Sequence, residues 1–254
     1  MEIRQIKSGD KVYGEFISAF GGVEQSFEWG ELQCIIPGRA AFFAFGAFSG
    51  GELMGSILLI RQEMSFGKTW LWCPRGPVIR DWAAWPLLRA ECEKLARAAG
   101  DLYVRIEPGT EIGEDFLVFE KESRESYMPE ETLMVTLSVP ENEILKQMAQ
   151  KGRYNIKVAG KAGVEVRNDC VFSDFYAMLR ETAGRDGFHV HGAEFYEKMM
   201  DFGRFYGAFL NGRLIAGIIV TYFGETATYY FGASSGSREA MAPYLLQWTA
   251  MREA

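Results

Sequence analysis

The sequence predicts an α/β protein with mixed sheets, built as two tandem domains over residues 1–140 and 141–254. Three observations predict it. Residues 42–60, FFAFGAFSGGELMGSILLI, and residues 205–221, FYGAFLNGRLIAGIIVT, share a pattern of aromatic-rich run, Ser-Gly-Gly or Asn-Gly turn, and second apolar run. Such turns between apolar runs are the strongest short-range signal for a β-hairpin. Each hairpin is followed by a turn, a third strand (TWLWCP, 69–74; TATYYFGA, 226–233) and a helix. The order therefore occurs twice, about 160 residues apart, as in a duplicated domain.

Taken in order, the first hairpin and its third strand lead to a helix over 85–99, with Leu88, Cys92, Leu95 and Ala99 on one face and Gly100 as its C′ residue. A strand is predicted at 101–108, DLYVRIEP, and another at 132–139, TLMVTLSV. A helix then opens at Pro140-Glu141, and the basic stretch KGRYNIKVAGKAGVEV (151–166) follows. After the strand VEVR comes the helix SDFYAMLRETA, with Ser173 as N-cap. The last helix, 239–254, has Pro243 in its first turn and Leu246, Thr249 and Ala250 inward. The first copy has a strand after this helix, so the second domain is expected to be incomplete.

Composition narrows the partners. The chain is net −7 with a pI of about 5.1, which argues against a dedicated duplex-DNA binder. The first residues, MEIRQIKSGDKVYGEF, hold no apolar leader segment, and no apolar run approaches the ~18–20 residues of a membrane span. A cytoplasmic location is expected. Cys34, Cys73, Cys92 and Cys170 are scattered without a C-x-x-C pair, which fits reduced thiols and offers no zinc site. No P-loop, G-x-S-x-G or strand-borne G-x-G-x-x-G occurs.

Against the acidic whole, Lys146 to Arg167 carries six basic residues and one acid, Glu165. Arg153, Lys157 and Lys161 stand at i, i+4, i+8 and share a helix face, which can be a solvated face or can meet an anion. The two histidines, His189 and His191, lie in GFHVHG and would share a face if extended. They could start a metal site, bind a phosphate or carboxylate, or be plain loop residues, and no third ligand pattern accompanies them. Arg75, in WCPRGPVIRD, could present a fork-shaped donor to an anion or merely connect a strand to a helix. Glu107 ends its strand just before Pro108, where a general base can sit, as can a solvated glutamate. QSFEWGEL (25–32) could stack a base or sugar, or be core.

These pieces, in this order, resemble the FemABX family of peptidoglycan interpeptide-bridge aminoacyltransferases: QSFEWGELQ, PRGPV (74–78), the strand ending RIEP, KGRYNIKVAGKAGVEV, RDGFHVHGAEFYEKM (185–199), AFLNGRLIAGIIV and YYFGASSGSREAMAPYLLQW (229–248). They span nearly the whole chain. The resemblance implies two tandem acetyltransferase-type (GNAT-like) domains and a cytoplasmic enzyme without a resident cofactor. Such an enzyme moves an amino acid from aminoacyl-tRNA, its co-substrate, to the stem peptide of UDP-MurNAc-pentapeptide or its lipid-linked form (lipid II). It implies no DNA partner and at most peripheral contact with the membrane face. The basic stripe Arg153, Lys157 and Lys161 is then placed to meet tRNA or precursor phosphates. The family's W-x-x-x-K lysine is matched by Gln33 after Trp29, its phosphate-binding arginine by His191, a threonine by His189 and a tyrosine by Phe195. Its strand-end aspartate, the expected base, is matched by Glu107, and a precursor-lining tyrosine by Phe231. With Arg75 these make up the implied substrate site. The family's C-terminal Phe-Lys pair falls past Ala254.

Two other readings remain. An acyl-CoA-dependent N-acyltransferase would need a pyrophosphate cradle before a helix, for which GASSGSREA (232–240) is the nearest stretch. A diverged homologue could bind a precursor or nucleic acid without turnover, since Gln33 and His191 replace two fixed charges.

Overall fold

The structure, a computed structural model, describes residues 1–110, 126–169, 172–236 and 240–254. Two units divide the chain: Met1–Thr132 with Phe223–Glu225, and Leu133–Tyr222 with Thr226–Ala254.

The first unit opens with β1 (Glu2–Ile6), α1 (Lys11–Phe20) and α2 (Phe27–Gln33). Asp10 caps α1 by accepting from the Tyr13 amide (3.0 Å), and Ser26 caps α2 through the Trp29 amide (3.2 Å). The expected hairpin follows as β2 (Arg39–Ser49) and β3 (Glu52–Glu63), paired antiparallel from Arg39↔Gln62 to Ser49↔Glu52. Gly50 and Gly51 turn it at φ 59° and 90°, a backbone that strains other residues. β4 (Thr69–Pro74), the short β5 (Val78–Ile79), α3 (Trp85–Ala99) and β6 (Val104–Glu107) complete the unit. The sheet order is β1-β2-β3-β4-β6, with β5 on β3, and β6 runs parallel to β4.

One sheet face, with Phe45, Ile57, Leu59, Leu71 and Cys73, buries Leu88, Cys92 and Ala96 of α3. Ala96 takes the place expected of Ala99, which is exposed in the last turn. On the other face, Tyr13, Phe16 and Ile17 of α1 pack on Ile6, Ala44, Phe48 and Val78. Gln25 is fully buried there: its Oε1 accepts from the Leu58 amide (2.8 Å) and its Nε2 donates to the Pro74 carbonyl (2.6 Å). It thereby ties the end of β4 to the sheet interior. Gly30 lets α2 close on β2, since a Cβ there would sit 2.5 Å from the Phe42 ring. Gly30→Ala is expected to cost about 1–3 kcal/mol, read from denaturant unfolding.

The second unit begins with α4 (Glu141–Gln147), α5 (Gln150–Lys161), β7 (Glu165–Arg167), α6 (Phe172–Asp186) and α7 (Ala193–Met199). β8 (Gly203–Leu210), β9 (Arg213–Phe223) and β10 (Thr226–Ser234) form its meander, and α8 (Ala242–Glu253) follows. The sheet order is β10-β9-β8-β7. Asn211 (φ 52°) and Gly212 (φ 75°) make the expected Asn-Gly turn. Ala159 of α5 and Leu246 and Ala250 of α8 bury Tyr206, Ala208, Ala216 and Ile218. Strand, two helices, three-strand meander and helix thus run twice, the tandem GNAT-like organisation that the echo and the resemblance predict.

Three expectations are corrected. Residues 132–139 form no strand; Leu133 and Met134 are 90% and 75% exposed, and no described strand pairs with them. An apolar pattern alone cannot hold an extended segment without a neighbouring ladder. The strand expected over 101–108 is confined to β6. Ser173 lies inside α6, which already includes Phe172, so it is not the cap.

Candidate functional site

In the first unit, Glu107 closes β6 in register with Pro74, where two parallel strands end side by side. Its carboxylate accepts from Trp72 Nε1 (2.9 Å), the Tyr127 amide (2.7 Å) and the Met128 amide (3.2 Å). These bonds take three of the roughly four lone-pair positions of a carboxylate. Arg75, held at φ 48°, donates from Nη2 to the Pro129 carbonyl (2.7 Å). The two expected site residues therefore grip one short segment, Tyr127–Pro129. The Tyr127 ring stacks on Trp70 (5.7 Å, 22°) and meets Trp72 edge-on (6.1 Å), with the Arg105 guanidinium 4.6 Å from its centroid.

Gln33 is buried at the end of α2, and its Oε1 accepts from Arg39 Nη1. The Arg39 guanidinium lies 5.3 Å from the Trp72 ring centroid, so Gln33, Arg39, Trp72 and Glu107 form one connected series. Desolvation lowers the pKa of Arg39 to about 10. Sequence reasoning missed Arg39, Trp72, Arg105 and Tyr127. Arg39 carried a readable signal, as the one basic residue between Cys34 and Ile60.

In the second unit, α5 forms as the stripe predicts, but its cations differ in environment. Lys157 and Lys161 are exposed. Arg153 Nη1 donates to the Leu145 carbonyl (3.2 Å) and to the Met148 carbonyl, satisfying acceptors at the end of α4. Arg153→Ala is expected to cost about 1–2 kcal/mol through these charge-assisted bonds. Lys157→Ala and Lys161→Ala should stay within about 0.5 kcal/mol. Thermal unfolding of the three variants checks both.

The segment before α7 brings three more expected residues together. The His191 and Phe195 rings are 4.4 Å apart, and Phe231 of β10 lies edge-on to Phe195 (6.1 Å) and to Tyr196 (5.0 Å). The His191 amide donates to Tyr196 Oη (3.2 Å), and Tyr176 Oη donates to the His191 carbonyl (3.0 Å). The loop is thus fixed by its backbone while the imidazole packs on an aromatic floor. Burial pushes the Tyr196 hydroxyl pKa up. His189 is exposed and takes no part in this ring cluster.

A cavity of about 240 Å³ opens in the same unit, lined by Thr182, Arg185, Tyr229, Ser234, Leu246 and Gln247 among others. Gly232 and Ser234, from the stretch weighed as a pyrophosphate cradle, also line it, whereas residues 237–239 of that stretch lie outside the described residues. Among the described residues, no group of three or more His, Cys, Asp and Glu is placed to hold a metal ion. Nor, among them, is any helix long and apolar enough to cross a membrane.

Comparison with known proteins gives these relations. The FemAB family matches residues 105–207. The crystal structure of FemX superposes with a TM-score of 0.84 at 16% identity, over 100% of this chain and 85% of that one. The C-terminal domain (DUF2156) of a putative lysylphosphatidylglycerol synthetase from Agrobacterium fabrum gives 0.51 at 12% identity, over 94% of this chain and 73% of that one. The curated proteins give no match. At such identities the two structures establish the fold. Residues 105–207, which carry Glu107, the α5 stripe, His191 and Phe195, match the FemAB family, in a chain whose fold is similar to that of FemX.

Proposed function

We propose that this chain is an aminoacyltransferase of peptidoglycan bridge formation, moving an amino acid from aminoacyl-tRNA to the stem peptide of UDP-MurNAc-pentapeptide or lipid II. One observation carries the reading: the FemAB match covers the segment that holds Glu107, the α5 stripe and the His191–Phe195 cluster, within a FemX-like fold. The reaction is aminolysis of an ester. The acceptor amine must lose a proton, and the tetrahedral oxyanion must be stabilised. Glu107 serves as the base, at a strand end among fixed donors. In the first unit Arg75 is a proposed precursor contact and the buried Gln33 acts through Arg39; in the second unit, considered by itself, His189, His191, Phe195 and Phe231 are the proposed contacts. Lys157 and Lys161 face tRNA or precursor phosphates, while Arg153 shapes the helix that presents them. Ester aminolysis calls for no redox step, and we assign no resident cofactor. The enzyme works in the cytoplasm, touching the membrane at most from its surface.

A second reading is an acyl-CoA-dependent N-acyltransferase, favoured by the cavity beside β10 and α8. The two separate in one assay, in which UDP-MurNAc-pentapeptide is incubated with the chain and either charged tRNA or acetyl-CoA. Mass spectrometry should find the precursor heavier by one aminoacyl residue with charged tRNA alone. An acetylated product would transfer the assignment to the second reading, and binding without either product would make the chain a non-catalytic binder.

A further inference from the structure

Side chains of the candidate site in the first unit hold the segment Tyr127–Pro129. Glu107 Oε1 accepts from the Tyr127 amide (2.7 Å), and Glu107 Oε2 accepts from the Met128 amide (3.2 Å) and Trp72 Nε1 (2.9 Å). Arg75 Nη2 donates to the carbonyl of the next residue, Pro129 (2.7 Å). The Tyr127 ring occupies a seat made by Trp70, Trp72 and Arg105, yet Tyr127 stays 61% exposed. Among the described residues, no backbone–backbone hydrogen bond reaches Tyr127, Met128 or Pro129. A segment fastened by so few, solvent-facing contacts opens far more readily than the sheet beneath it. Two successive amides, a carbonyl and one aromatic side chain are groups that any extended peptide can present. A carboxylate, a guanidinium and an aromatic wall are complementary to them. With two donors on Oε2 and one on Oε1, about one lone-pair position of Glu107 remains. A peptide amine approaching this carboxylate meets main chain already lying on both oxygens.

We propose that Tyr127–Pro129 is an autoinhibitory segment, an internal competitor that an incoming peptide displaces from Glu107, Arg75 and the aromatic seat. Both residues of this unit that the sequence marks for chemistry, Glu107 and Arg75, are spent on it. Peptide binding then draws on the fraction of molecules in which the segment is open, and its apparent affinity falls by that fraction. The consequence for catalysis, that Glu107 takes a proton only after displacement, rests on the proposed function. The displacement itself does not.

The test titrates the full chain with a synthetic copy of residues 126–130, acetyl-Ser-Tyr-Met-Pro-Glu-amide, following the fluorescence of Trp70 and Trp72. The parent should bind it weakly, because the same sequence in cis competes at the high effective concentration of a tethered segment. Tyr127→Ala loosens the cis segment and should tighten apparent binding about 5-fold or more. Adding Glu107→Ala should remove the gain. In the aminoacyl-transfer assay, Tyr127→Ala should lower KM for UDP-MurNAc-pentapeptide by a similar factor, whereas loss of a merely structural segment would lower kcat. On the unaltered protein, hydrogen exchange at the Tyr127 and Met128 amides should run about 100-fold or more faster than at Leu71. Leu71 is fully buried, and its amide donates to the Tyr103 carbonyl (3.0 Å). This arm needs no variant. Equal peptide affinity in parent and Tyr127→Ala, no saturable binding by either, or exchange at Tyr127 and Met128 as slow as at Leu71 would each overturn the proposal. Absence of aminoacyl transfer in every form would count against the proposed function, and the peptide and exchange results would still decide this inference.

Discussion

Glu107→Ala is expected to lower aminoacyl transfer by about 100-fold or more, the usual scale for loss of a general base. Its three bonds to Trp72 Nε1 and the Tyr127 and Met128 amides would vanish with it. Loss of activity could then follow from a loosened 126–129 segment as well as from missing proton transfer. Glu107→Gln separates the two. One amide oxygen can keep accepting from backbone N–H groups, but the amide has no basic carboxylate to take a proton. If Glu107 is the base, Glu107→Gln falls nearly as far as Glu107→Ala. Recovery of most activity in Glu107→Gln would reduce Glu107 to a fastener of Tyr127 and Met128.

The second large effect concerns stability. Asp101→Ala is expected to destabilise the first unit by about 3–5 kcal/mol, because it leaves a largely buried cation unpaired. The Asp101 side chain is fully buried and bonded to Arg61 Nη2 at 2.9 Å, with Arg61 only 17% exposed and lying over the Phe43 ring. Thr69 Oγ1 donates to the same carboxylate (2.5 Å), tying the start of β4 to the loop before β6. Against a total of about 5–15 kcal/mol this is a large fraction. Denaturant unfolding checks it, and adding Arg61→Leu should recover part of the loss by removing the stranded charge. A cost below about 1 kcal/mol for Asp101→Ala would mean that water already screens the pair.

Local chemistry made the hairpins legible. Gly50-Gly51 and Asn211-Gly212 adopt the positive φ that their residue types favour, between runs whose apolar periodicity specifies strands. Leu133 to Val139 has the same apolar character but, among the described residues, no partner ladder, and no single-segment pattern reports that. Within the candidate site, Glu107 could be read from its strand-end position, and His191, Phe195 and Phe231 from the resemblance. Arg153 could not be read correctly from spacing, because its bonds to Leu145 and Met148 depend on how α4 ends against α5. Arg39 stands out in the sequence as the lone basic residue between Cys34 and Ile60, but its bond to Gln33 depends on the fold that brings the end of α2 to it.

The most direct test of the proposed function is calorimetric titration of the chain with UDP-MurNAc-pentapeptide, with acetyl-CoA as the parallel titrant. The account predicts saturable heat with the precursor in the micromolar range, about −8 kcal/mol of binding free energy, weakened by His191→Ala and silent with acetyl-CoA. Saturable binding of acetyl-CoA with no heat from the precursor would contradict it and assign the chain to the general N-acyltransferases.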